Sequence, residues 1–313
     1  IRHLRMSRGL GDVYKRQQIV TSEYQNPAIF LDEYESDILK TESAIEKNKE
    51  AKILIIEDNP SLLDMLTKIF ETFYTVITAS NGAEGWEKVQ SEHPNLILSD
   101  VIMPKLSGTE LCKLIKENLD TCHIPVILLT AQTAIEHNLE GLRIGADDYI
   151  TKPFNINILL SRCNNLVNNR IMLQEKFSKQ PQATPQILAT NILDKAFIDQ
   201  AMKIIEQHLD DTNFNVDIFA REMSIARTKL FNKLKDITGQ TPYEFIITVR
   251  LKRAAFMLKN NPELNISEIA DHLGFSSPRQ FTKSFKAKFH VIPQVYRKGE
   301  IYNNKEDEAA EEE

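Results

Sequence analysis

Lys52-Ile53-Leu54-Ile55-Ile56-Glu57-Asp58-Asn59 is the stretch on which the fold turns. Its four consecutive aliphatic residues are too few for a helix of ordinary length, and a run apolar on both faces reads as a buried strand. Apolar residues at Leu62, Leu63, Leu66, Ile69 and Phe70 then follow at helical spacing. Strand and helix meet at two carboxylates, Glu57 and Asp58.

Outward from it the pattern repeats. Val76-Ile77, Leu96-Ile97-Leu98, Val126 to Leu129 and Asp148-Tyr149-Ile150 are four further short runs. Helical patterns accompany them at Ala83 to Val89, Leu111/Leu114/Ile115, Leu139/Leu142 and Ile158/Leu159/Cys163/Leu166. Strands alternating with helices imply βαβ units and a parallel sheet covered on both faces. The predicted class is α/β: a doubly wound, five-stranded parallel sheet of the flavodoxin-like kind, complete in about 115 residues.

In such a sheet, ligands bind beyond the carboxyl ends of the strands. Glu57 and Asp58 follow the first strand, Asp100 the third, Thr130 ends the fourth, and Lys152-Pro153 follow the fifth. Crowded carboxylates repel one another and attract a hard divalent cation with oxygen ligands, and Mg²⁺ is the expected ion. Asp100 is then the candidate nucleophile, taking a phosphoryl group as an aspartyl-phosphate. Thr130 can hydrogen-bond one phosphoryl oxygen and Lys152 can neutralise another.

The set Ile56-Glu57-Asp58-Asn59, Leu98-Ser99-Asp100-Val101-Ile102-Met103-Pro104, Leu129-Thr130-Ala131 and Thr151-Lys152-Pro153-Phe154 resembles the response-regulator receiver domain over about residues 52 to 169. The resemblance implies phosphotransfer from a phosphohistidine, a metal held also by the Ile102 carbonyl, and a cis Lys152–Pro153 bond. It makes Tyr149 an aromatic switch that turns inward as Thr130 moves; simple packing is the alternative for an aromatic on that strand. Ile102 and Gln132 become tuners of phosphoryl lifetime. Ser107 stands where the family often has Asp.

After a Pro- and Gln-containing stretch, Phe177 to Ala189, the remainder reads as all-α. Two helix-turn-helix passes, Val216 to Thr238 and Ile266 to Phe289, are joined by a long helix, Pro242 to Lys259. Gly239 is a natural residue beyond a helix end, Thr241-Pro242 and Ser277-Pro278 supply caps and first-turn prolines, and Gly274 makes a turn. Phe275, Phe281, Phe285 and Phe289 recur at helical spacing and are assigned to the core. Away from it lie Arg227, Thr228, Asn232 and Lys235 on one second helix, and Arg279, Gln280, Lys283 and Lys286 on the other. Long donors on an exposed helix face suit base edges and phosphates, although any single Lys on a helix is usually just solvated.

Residues 195 to 298 resemble the AraC/XylS family of transcription factors. The carriers are Ile237-Thr238-Gly239-Gln240-Thr241-Pro242, Arg250-Leu251-Lys252-Arg253-Ala254, Ile269-Ala270 through Gly274-Phe275, Phe281 through Lys286, and Pro293-Gln294-Val295-Tyr296-Arg297. The resemblance implies two recognition helices entering successive major grooves of promoter DNA, roughly 34 Å apart. Phe231 occupies a contact position, where it either meets a thymine methyl or packs.

The formal charge of −6 hides a split. Arg221 to Lys298 carries about twice as many Lys and Arg as Asp and Glu, while the acidic excess lies before it and in the tail. Cys112, Cys122 and Cys163 are scattered without metal-ligand spacing, which points to ordinary thiols in a reducing cytoplasm. No apolar run is long enough to span a bilayer, so no membrane contact is expected from this segment. The expected organisation is 1–17 a non-native or disordered basic segment, 18–50 a linker following a kinase region, 51–170 the α/β domain, 171–192 a linker, 193–300 the DNA-binding domain and 301–313 an acidic tail.

The pairing resembles the C-terminal end of Bacteroides-type hybrid two-component regulators, in which a periplasmic sensor, a histidine kinase, a receiver and this output share one polypeptide; the resemblance implies a parent protein anchored in the inner membrane and an output end in the cytoplasm. The chain shows neither a His box nor a nucleotide-binding Gly-rich motif, so it is not expected to be a kinase itself. The resemblance implies a phosphodonor kinase, in the same polypeptide, and a dimer on phosphorylation. A stand-alone response regulator, and a phosphate sink with a protein-docking helical module, are the alternatives.

Overall fold

The computed structural model describes residues 48–131 and 145–299. The readings for 1–17, most of 18–50, the Leu139/Leu142 helix, Gln132 and 301–313 lie outside them. The described residues divide into two compact units, one holding those of 48–116 and Ile124–Val167, the other those of Glu117–His123 and 168–299.

In the first unit the order is β1 (Lys52–Ile56), α1 (Pro60–Phe70), β2 (Thr75–Ala79), α2 (Gly82–Glu92), β3 (Leu96–Asp100), α3 (Gly108–Glu117), β4 (Val126–Ala131), β5 (Asp148–Lys152) and the first half of α4 (Ile156–Lys179), whose second half counts with the other unit. All ladders are parallel, and the strand order is β2-β1-β3-β4-β5. The alternation of strand side chains divides the apolar runs between two cores. Ile53, Ile55, Leu98, Ile127 and Leu129 pack with Leu66 and Phe70 of α1 and Leu159 and Cys163 of α4. Leu54, Ile56, Ile97, Val126 and Leu128 pack with Val89 of α2 and Leu111, Cys112 and Ile115 of α3. Burial on both faces explains why the strands read as continuous apolar runs.

In the second unit, α5 (Ile192–Gln207), α6 (Val216–Glu222), α7 (Arg227–Thr238), α8 (Pro242–Asn260), α9 (Ile266–His272), α10 (Pro278–Phe289) and α11 (Pro293–Lys298) follow one another. The long α8 serves two cores, with Tyr243, Arg253 and Phe256 left exposed. Phe245, Ile246 and Val249 serve a core with α5, α6 and α7, while Leu251, Ala254, Ala255 and Leu258 serve one with α9, α10 and the Phe275, Phe281 and Phe285 series. The expected caps are present: Thr241 and Glu244 form a capping box, Ser277 accepts from the Gln280 N–H, and Gly239 ends α7 at φ 71°.

Composition alone marks 171–192 as linker, yet α4 continues to Lys179 and Phe177 is buried against Phe245, with ring centroids 5.8 Å apart. Pro185 and Leu188 are buried as well, in a short 3₁₀ turn. Polar residues around a few apolar anchors hide such a segment from composition. Among the described residues, no helix is long and apolar enough to cross a membrane.

Candidate functional site

Strand register builds the acidic rim. Ile56 pairs with Ser99, Asp100 with Leu129, and Ala131 with Lys152. The residues at or just beyond those last rungs therefore converge: Glu57, Asp58, Asp100, Thr130 and Lys152. One carboxylate oxygen from each of Glu57, Asp58 and Asp100 lies within 4.8 Å of the others. Lys152 Nζ donates to Glu57 Oε2 at 2.8 Å and to Asp100 Oδ2 at 2.9 Å. The Lys152–Pro153 bond is cis.

Burial separates the roles these groups can take. Glu57 is 2% exposed, Asp58 is exposed, and Asp100 lies between. Burial pushes the Glu57 carboxyl above the usual carboxylate range despite the opposing pull of Lys152. Burial also works against charge on Lys152, but Glu57 and Asp100 outweigh it and raise the ammonium. Three carboxylates facing one ammonium leave a negative excess beside an exposed edge. A hard cation that keeps part of its water shell fits that donor set.

The turn after β3 is shaped to hold Asp100. The Ile102 N–H lies 3.3 Å from Asp100 Oδ1, and the Gly108 N–H donates to Val101 O at 3.0 Å. A Cβ on Gly108 would stand 2.0 Å from the Asp100 carbonyl oxygen, so only glycine lets α3 start there. Ser107 accepts from the Glu110 N–H while its own N–H donates to Glu110 Oε2, a reciprocal cap that accounts for serine at this position. Thr130 is buried and its hydroxyl donates to Ala131 O at 3.2 Å. Tyr149 packs, half-buried, on the α2/α3 side of the sheet, where burial raises its hydroxyl.

In the helical unit, Arg227, Thr228, Lys235, Arg279, Gln280, Lys283 and Lys286 are exposed and Asn232 is half-exposed. Arg279, Lys283 and Lys286 line, with Ser267 and Gln294, a surface hollow of about 840 Å³. Two side chains are engaged locally: Arg227 pairs with Asp217 at 2.8 Å, and Gln280 Oε1 accepts from the Ser276 N–H at 3.2 Å. Phe231 is 38% exposed, with the Lys235 ammonium 5.8 Å from its ring centroid.

The structural roles of two residues escaped sequence reasoning. Arg250, on α8, is buried and donates to the Gly274, His208 and Asp211 carbonyls at 3.1, 3.1 and 2.7 Å. It ties the turn of the second helix-turn-helix to the segment after α5. Gly274 adopts φ 64° with no room for a Cβ between Leu209 O and that guanidinium. Lys233, one more lysine on α7, is buried instead of solvated.

Comparison with known proteins matches residues 53–164 to the response regulator receiver domain and residues 219–299 to a helix-turn-helix domain. Histidine kinase P4 of Formosa agariphila is 41% identical over 256 residues, which cover 82% of this chain and 19% of that protein. The DNA-binding dual master transcriptional regulator RpaA of Synechocystis is 28% identical over 67% of this chain and 88% of its own. The signal receiver domain of a Syntrophus aciditrophicus signal transduction histidine kinase is 38% identical over 38% of this chain and 91% of that one, with a TM-score of 0.37. The chain spans about a fifth of the Formosa kinase and half of a probable transcriptional regulator from Cyanophora paradoxa. Over residues 53–164 the chain belongs to the response regulator receiver family, and over residues 219–299 it is a helix-turn-helix domain of the AraC type.

Proposed function

We propose that this chain is the output end of a two-component transcription regulator, in which the state of Asp100 controls promoter binding by α7 and α10. The observation that carries the reading is the Lys152 ammonium bridging Glu57 and Asp100 where three carboxylates meet. A solvated loop cluster has no need of a half-buried cation bound to two of its acids.

In the proposed step, an Asp100 carboxylate oxygen attacks the phosphorus of a phosphohistidine. The N–P bond breaks and its electron pair returns to the imidazole. Lys152 leaves its present partners in part to neutralise a phosphoryl oxygen, and the Thr130 hydroxyl is redirected from Ala131 O to another. Glu57, Asp58, Asp100 and the Ile102 carbonyl are the residues that would hold Mg²⁺, which when bound offsets phosphoryl charge. Tyr149 follows Thr130, shifting a pre-existing equilibrium of the receiver toward a form that dimerises or frees the helical unit.

Arg227, Thr228, Asn232 and Lys235 on α7, with Arg279, Gln280 and Lys283 on α10, are the proposed DNA contacts. The likeness to a histidine kinase over most of this chain supports a phosphodonor in the same polypeptide; the likeness to RpaA over most of that regulator's length favours a stand-alone regulator instead. The gene sequence upstream separates the two. The phosphoacceptor is tested by transfer of labelled phosphoryl groups: Asp100→Asn is expected to take none, and normal labelling of that variant moves the nucleophile elsewhere.

A further inference from the structure

We propose that a hollow between α5, α8 and the turn at 181–185 is a binding site for a small carboxylate with an apolar body. It lies wholly within the helical unit and shares no residue with the acidic rim or with the proposed DNA contacts. Its volume is about 410 Å³. Small-molecule sites usually measure roughly 300–1,000 Å³.

The walls follow from the local sequence. Pro181 and Pro185 bracket the turn, and Pro185 opens a 3₁₀ turn that is buried at Pro185 and Leu188. The Ala183 N–H donates to Gln180 O at 3.2 Å, and Gln186 Nε2 donates to Asp199 Oδ1 of α5 at 3.1 Å. A segment bonded in this way is a fixed wall. Facing it are Met202 and Glu206, one turn apart on α5, and Lys252, Arg253 and Phe256 on α8.

The side chain that calls for a ligand is Lys252. Its ammonium is half-buried, donates to the Gln180 carbonyl and lies 4.7 Å from the Phe177 ring centroid. Among the described residues no carboxylate is ion-paired with it. Burial, and then repulsion from Lys288 of α10, lower the ammonium to about 8. A carbonyl dipole and an aromatic face give this cation partial charges only. An anion arriving beside it would offset both the lost hydration and the repulsion.

Charge and shape select the anion. On the lining, Lys252 and Arg253 against Glu206 leave one net positive charge. That matches a monoanion better than a phosphate monoester, which carries about −1.5 to −2 at neutral pH. Arg253 brings a planar fork of donors suited to a carboxylate, with its guanidinium 5.1 Å from the Phe256 ring centroid. Pro185, Met202 and Phe256 offer apolar contact, and Phe256 is 54% exposed, a large aromatic left without cover. Because α5 and α8 supply separate walls, an occupied hollow stabilises the helical unit by mass action.

The test titrates the full chain with octanoate by calorimetry, with octan-1-ol and octylammonium as probes of equal body and different charge. Octanoate is expected to bind at least about tenfold tighter than either, and to raise the melting temperature of the helical unit. Lys252→Met, which removes an uncompensated charge and keeps the fold, is expected to weaken octanoate binding by about tenfold or more. Phe256→Asp, an exposed change that adds an acid, is expected to do the same. Asp100→Asn is expected to bind octanoate as the wild type does, so this site and the phosphoacceptor fail separately. Equal binding of octanoate and octan-1-ol is apolar partition only and overturns the proposal, as does equal binding by wild type and Lys252→Met. A wild-type dimer that Phe256→Asp dissociates and octanoate leaves intact gives the hollow to a second copy and overturns it too.

Discussion

The acidic rim and the two exposed helix faces are functional surfaces of opposite construction. At the rim, Glu57, Asp100 and Lys152 hold one another, placed by strand register and closed by Lys152 contacts of 2.8 and 2.9 Å. On α7 and α10 the side chains are long, exposed and mostly free to choose partners. A site that performs a bond exchange needs groups placed to a fraction of an ångström. A surface that meets DNA can complete its geometry on contact, because much of its affinity comes from charge. Substitutions should therefore act by breaking geometry at the rim and by removing increments on the helices.

The largest effect expected, apart from loss of labelling in Asp100→Asn, is at Lys152. Lys152→Met leaves Glu57 buried without its cation, a change that costs about 3–5 kcal/mol when one partner of a buried pair is removed. Chemical denaturation should show that loss, and Mg²⁺ should stabilise the variant more than the wild type. An equal response to Mg²⁺ would mean that the rim carboxylates do not share a cation. Gly108→Ala comes next. Its Cβ cannot fit 2.0 Å from the Asp100 carbonyl oxygen, so α3 must shift, at about 1–3 kcal/mol, with slower phosphotransfer. A fully active, equally stable variant would show that the turn tolerates movement.

Arg279→Ala should cost about 1–3 kcal/mol on a cognate site if that guanidinium reads a base. Equal loss on random DNA reassigns it to phosphate. The smallest effect is at Lys252, whose ammonium burial and the nearby Lys288 lower to about 8. Its folded-state value lies below its unfolded one, so the unfolded chain binds more protons between about 8 and about 10.5. Stability should therefore rise with pH across that window. Lys252→Met should flatten the rise and stabilise the helical unit modestly at neutral pH, as thermal unfolding across the window would show.

The same contrast explains what could be read from the sequence. The strands announced themselves because burial on both faces leaves only apolar residues, and the rim followed because each acid immediately succeeds a strand. Caps such as Thr241-Pro242 and Ser277-Pro278 are local chemistry, written within four residues. Lys233 was not legible. It interrupts the Leu230, Leu234 and Ile237 stripe with a charge, which locally means solvent. Its partner Asp194 lies 39 residues away, and no local pattern carries such a pairing. Gln280 was read as a base-reading donor, but its side-chain oxygen is turned back to Ser276, a competition between cap and contact that spacing does not reveal. Phe177 was hidden among polar neighbours in the same way.

The central claim is that the state of Asp100 sets DNA affinity. It is tested most directly by fluorescence anisotropy of the full chain on its promoter fragment, with and without beryllofluoride and Mg²⁺, in wild type and Asp100→Asn. The wild type should tighten by about 5- to 150-fold, the range of ordinary allosteric coupling, and Asp100→Asn should not change. Equal tightening of both proteins, or none in the wild type, would contradict the account.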